Sequence, residues 1–152
     1  NEQILHELAN YSIYMNFSSE LSLLGYASGE EYYYMRAQEE KKHAEILMEY
    51  MNQNDAPVKI KDISVPQYEI NEIIDIFKFT VEREIFTTEK LNSIYEAALE
   101  NKDYAFITWL GNGLLKIQVE DEETESRMAL NIMQGDDTIL VKLEAVRDLL
   151  GE

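Results

Sequence analysis

The chain has 152 residues, 45% of them apolar, with six glycines, two prolines and no cysteine, enough for one sizeable core and suited to long uninterrupted helices. Thirty acidic residues stand against 13 basic ones, a formal net charge of -17, which repels nucleic-acid phosphates and anionic lipid and attracts cations. Without cysteine there are no disulfides, thiolate metal sites or iron–sulfur clusters; no apolar run approaches bilayer length and the first residues show no signal-peptide pattern, so no membrane partner and a cytoplasmic location are expected.

In chain order, residues 2–28 read as a first helix. Ile4, Leu5, Leu8, Tyr11 and Met15 fall near one face, and Ile13, Tyr14, Phe17, Leu21 and Leu24 widen the stripe. Glu7 lies among these apolar residues, with Tyr14 on the same side two turns along. His6 points about 100° away and is expected at the surface. Ser28 and Glu31 have capping-box spacing, opening a second helix over 30–52 with Tyr33, Tyr34, Ala37, Ala44, Leu47, Met48 and Met51 on its apolar side.

Residues 53–66 are polar and hold both prolines, Pro57 and Pro66. A break this long in a helical domain needs a reason, and the simplest is a crossover carrying the chain along a bundle. A third helix is expected over 67–100, where Ile70, Ile73, Ile74, Phe77, Val81, Ile85, Leu91 and Tyr95 follow the helical period and Glu84 falls mid-helix. After a turn with Asp103 as cap, a fourth runs over 103–134, locally weakened by Gly111 and Gly113. It carries Gln118 and Asp121 three residues apart within an acidic run. Residues 138–150 form a short amphipathic fifth helix. The expected fold is all-α: an up-down four-helix bundle with one long crossover and a short C-terminal helix, in a single domain over 1–152.

The segment that gives this layout a chemistry is Arg36-Ala-Gln-Glu-Glu-Lys-Lys-His-Ala-Glu45. Glu40 and His43 are three residues apart without intervening Gly or Pro, so a helix stacks a carboxylate and an imidazole on one face. That pair can grip one transition-metal ion, and in di-metal bundles single carboxylates from neighbouring helices complete the site. Glu7, Glu84, and Gln118 with Asp121 lie on the other three rods.

Those residues make the chain resemble the ferritins, specifically the non-haem ferritins, over nearly its whole length. The carriers are Glu7 followed by Tyr14, the run Ala37 to Glu45, Glu84 followed by Thr87 and Thr88, the stretch Ala98 to Tyr104, and Gln118-Val-Glu120. The resemblance implies a ferroxidase centre with Glu7, Glu40 and His43 at a first iron, and with Glu40 as bridge, Glu84, Gln118 and Asp121 at a second. Tyr14 matches the tyrosine beside that centre. Glu39 and Glu120 match positions that hold a third iron in bacterial ferritins, although Ile117 stands where a carboxylate is usual and Asp121 where a glutamate is.

The implied function is iron storage. Two Fe(II) ions held by hard carboxylates and one imidazole each give one electron to O2 or H2O2, and the ferric product collects as an oxide mineral inside a homo-oligomeric shell of twenty-four subunits. Haem is not expected, because Lys41 replaces the methionine that binds it in bacterioferritins and the fourth helix has no histidine. The alternatives are a cage subunit without ferroxidase activity and a discrete di-iron carboxylate oxidase.

Overall fold

The computed structural model describes residues 1–151; Glu152 lies outside the described residues. These form two compact units, residues 1–69 with 135–151, and Ile70–Gln134. Among the described residues there is no strand.

The first unit is built on α1 (Glu2–Leu23) and α2 (Ala27–Gln53). Ser18 meets the backbone of Glu30, and Asn10 meets Glu40; one index rises as the other falls, so the helices run antiparallel. Ile4, Ala9, Ile13, Phe17 and Leu21 recur at helical spacing and are buried with Tyr32, Tyr33, Ala37, Ala44 and Leu47 of α2. The core is strongly aromatic. Tyr33 lies 5.9 Å from Tyr14, 5.4 Å from Phe17 and 5.2 Å from Tyr32, ring centre to ring centre.

The first helix stops at Leu23, five residues short of the expected end. Gly25 takes φ +82, its N–H bonds to the Ser22 carbonyl at 3.0 Å and that of Tyr26 to Leu21 at 2.9 Å. This is the paired closure a left-handed glycine permits. The expected Ser28–Glu31 capping box therefore does not form: Ser28 lies inside α2, and its hydroxyl accepts from Arg147 Nη1 at 3.3 Å. That contact comes from the C-terminal helix α7 (Ile139–Asp148), which packs on α2. A Cβ on Gly29 would sit 3.4 Å from Leu143 and 3.0 Å from Leu21, so the missing side chain lets α7 approach.

The segment after α2 is held at both ends of its path. The Asn1 side chain donates to the Pro57 carbonyl (3.1 Å) and accepts from the Lys59 N–H (2.7 Å). Further on, the Tyr68 ring packs edge-on to Phe17 at 5.2 Å. From Asn1 to Phe17 is roughly 24 Å of helix at 1.5 Å per residue, so this segment travels along α1.

The second unit pairs α3 (Ile73–Glu100) with a helical run made of α4 (Tyr104–Asn112), α5 (Leu114–Ile117), a π-helical turn (Gln118–Glu123) and α6 (Thr124–Met133). α3 begins at Ile73, not residue 67, because Glu72 and Asp75 form the capping box there. Asp103 caps α4 through the Phe106 N–H at 3.1 Å. The fourth helix, expected over 103–134 with a local weakness at Gly111 and Gly113, is interrupted at Gly113, where a Cβ would lie 2.8 Å from the Trp109 carbonyl oxygen. No helix among the described residues is long and apolar enough to cross a membrane.

Candidate metal centre

Three ligand-type side chains converge between α1 and α2. Glu7, Glu40 and His43 are buried, and one ligand atom from each lies within 4.8 Å of the others. Helical geometry places Glu40 and His43 on one face, and the antiparallel pairing brings Glu7 opposite. Burying two carboxylates side by side is costly unless hydrogen bonds or a cation offset their charge.

Neighbouring amides supply some of that offset. Gln3, one turn before Glu7, donates its Nε2 to Glu7 Oε1 at 2.6 Å. Asn10 donates Nδ2 to Glu40 Oε2 at 3.1 Å and lies 3.5 Å from His6 Nε2. His6, expected at the surface, is buried, because the α2 side of α1 is broader than the apolar stripe alone indicates. Tyr14 is fully buried, and the buried Arg36 places Cζ 5.9 Å from the centre of its ring, a cation–π distance.

A second set forms within the other unit. Glu84 and Glu122 are buried, with a carboxylate oxygen of each within 4.8 Å of the other. Gln118 Nε2 lies 2.8 Å from Glu84 Oε2 and 3.2 Å from its carbonyl oxygen. Beside them, the Thr88 hydroxyl donates to Glu123 Oε2 at 2.8 Å. Burial pushes the Glu123 carboxyl up, but hydrogen bonds from Arg127 and Thr88 outweigh it and hold the group below its ordinary value.

Asp121 does not join this set. It is exposed, whereas Glu122 is buried. The cause is the π-helical turn, whose i→i+5 bonding fits more residues into each turn; rotation per residue falls, so the fourth residue after Gln118 returns to the inner face and the third does not. Thr124 Oγ1 bonding back to the Val119 carbonyl at 3.0 Å marks the widened turn. The acidic run offered five carboxylates with no signal of this register change, which hid Glu122. Gln3 and Asn10 were in principle legible, since both share the face of Glu7 on α1.

The two positions matched to a third iron are paired with cations. Glu39 is half-exposed, 3.8 Å from Arg36 Nη1. Glu120 is exposed, 4.0 Å from Lys116 Nζ.

Comparison with known proteins agrees with this layout. Residues 1–132 match the family model described as a ferritin-like domain. A bacterial non-heme ferritin of Campylobacter jejuni is 33% identical over 115 residues, spanning 72% of this chain and 67% of its own; one from Staphylococcus aureus is 28% identical over 139 residues, 91% of this chain and 83% of its own. Among solved structures, an open-pore ferritin of the hyperthermophilic archaeon Archaeoglobus fulgidus superposes with a TM-score of 0.89 at 22% identity, covering 97% of this chain and 92% of that one. An engineered closed form of the same ferritin gives 0.87 at 23%, covering 98% and 90%. The chain therefore has the all-α ferritin fold, a four-helix bundle with a short C-terminal helix, and it belongs to the ferritin family, with bacterial non-haem ferritins as its relatives.

Proposed function

We propose that this chain is a ferroxidase-active subunit of an iron-storage cage. The observation that carries the reading is the buried Glu7, Glu40 and His43 trio, whose ligand atoms lie within 4.8 Å of one another. Two hard oxygens and one imidazole are a donor set suited to Fe(II) with open positions for an oxidant. The pair Glu84 and Glu122, steadied by Gln118, is the second carboxylate set of this reading, and Tyr14 is the tyrosine adjacent to the first. Two Fe(II) ions lose one electron each, O2 takes up two electrons and two protons and leaves as hydrogen peroxide, and hydrolysis of the ferric product returns protons as oxide forms. Membership of the ferritin family supports a homo-oligomer, and a net charge of -17 favours steering of cations to it.

The same reading assigns two irons rather than three to each subunit. Arg36 neutralises Glu39, Glu120 projects into solvent beside Lys116, and Ile117 supplies no ligand.

Stopped-flow oxidation of Fe(II), followed by ferric-oxo absorbance, tests the assignment. A fast phase saturating at two irons per subunit is expected, and Glu40→Ala should remove it while the assembly stays intact in sedimentation. An unchanged fast phase in that variant would place the oxidation elsewhere. No fast phase in the unaltered protein would leave a storage subunit without ferroxidase activity. A single species of one 17.7 kDa chain would indicate a discrete di-iron protein instead.

A further inference from the structure

Asn10 is fully buried and lies one turn beyond His6 on α1, facing Glu40 of α2. Its amide nitrogen is 3.1 Å from Glu40 Oε2 and 3.5 Å from His6 Nε2. A carboxylate only accepts, so the nitrogen end of the amide must face Glu40, with the His6 imidazole nitrogen beside it. A carboxylate on a long side chain turns freely about its last bond; a fixed donor on one oxygen removes that freedom. Gln3 does the same for Glu7 at 2.6 Å, so each carboxylate of the trio carries its own amide.

We infer that Asn10 is a positioning residue for metal capture: steadied by His6, it holds Glu40 in the orientation that receives a divalent cation. The inference deepens the metal-centre reading and rests on it. Partners that orient a ligand typically change metal affinity by about 10–100-fold when removed. Because Asn10 acts through Glu40, its effect should vanish when Glu40 is absent.

The test is titration of the assembled, full-length apoprotein with Co(II), a redox-inert probe whose visible absorption reports ligand geometry. The unaltered protein should bind Co(II). Asn10→Ala should weaken the first binding step by about 10–100-fold and alter the spectrum. Asn10→Leu, close in volume but without a donor, should weaken it as much, which separates loss of the hydrogen bond from loss of packing. In a Glu40→Ala background, adding Asn10→Ala should cost nothing further. The inference is overturned if Asn10→Leu restores the unaltered affinity, if both variants bind Co(II) normally, or if the loss persists without Glu40. Failure of the unaltered protein to bind Co(II) would instead sink the metal-centre reading, and this inference with it.

Discussion

Gln118 grips Glu84 twice, with Nε2 2.8 Å from the carboxylate Oε2 and 3.2 Å from the backbone carbonyl of the same residue. A neutral amide thereby fixes a buried carboxylate against its own helix without adding charge. In the proposed centre Gln118 is thus first a hydrogen-bond donor to a ligand. Gln118→Leu keeps the volume and deletes the donor, and should weaken Zn(II) binding at the second position by about 10-fold while the helical circular dichroism is unchanged. Isothermal titration with Zn(II), which has no redox chemistry, measures this directly. Equal affinity in the variant would show that Glu84 is oriented without it.

The π-helical turn yields a contrast between adjacent acids. Glu122→Ala removes a buried carboxylate beside Glu84 and should slow initial Fe(II) oxidation by at least about 10-fold, the scale for a supporting group at a metal site. Asp121→Ala removes an exposed one and should leave the rate within about twofold, since surface substitutions away from a site are usually near neutral. The reverse order would mean that Asp121, not Glu122, is the carboxylate that serves the centre.

Three helix ends share one closure, and two of them lack glycine. α1, α2 and α3 end on Gly25, Asp55 and Lys102, all at positive φ. In the last, the N–H groups of Lys102 and Asp103 bond to the carbonyls of Leu99 and Ala98 at 3.0 and 2.9 Å. A side chain in that conformation costs about 1 kcal/mol, which glycine avoids. Lys102→Gly should therefore stabilise the protein by about 0.5–1 kcal/mol despite the greater freedom of the unfolded chain, and Gly25→Ala should destabilise it by about 1 kcal/mol. Denaturant midpoints of the two variants against the unaltered protein check both signs.

The start of α3 carries a pH signature. The backbone N–H groups of Glu72 and Asn71 hold the Asp75 carboxyl below its ordinary value, with a smaller pull from Lys78. A carboxylate whose folded pKa is depressed contributes stability that is fully present above its unfolded pKa and is lost as pH falls through the folded one. Asp75→Asn should therefore be less stable than the unaltered protein at pH 7, and the gap should close as pH drops below the ordinary carboxylate range. Parallel melting curves across that range measure it; a gap independent of pH would show that the carboxylate charge plays no part in the cap.

Much of this protein is written in local periodicity. The recurrence of Ile4, Ile13, Phe17 and Leu21 on α1, of Tyr33, Ala37 and Ala44 on α2 and of Phe77, Val81 and Leu91 on α3 is enough to lay out long amphipathic helices. The three-residue step from Glu40 to His43 is enough to put a carboxylate and an imidazole on one face. Both are properties of a single helix and need no partner to be read. Tertiary structure decided what depends on a partner or on a choice between competing backbone bonds. Gly25 closed α1 before Ser28 had any helix end to cap, and Glu72 with Asp75 set where α3 begins. The π-helical turn exchanged Asp121 for Glu122 on the inner face, because a widened turn is a backbone outcome that composition does not announce. His6 and Asn10 became buried because burial of a polar side chain is set by the helix lying opposite it, and that helix is distant in sequence.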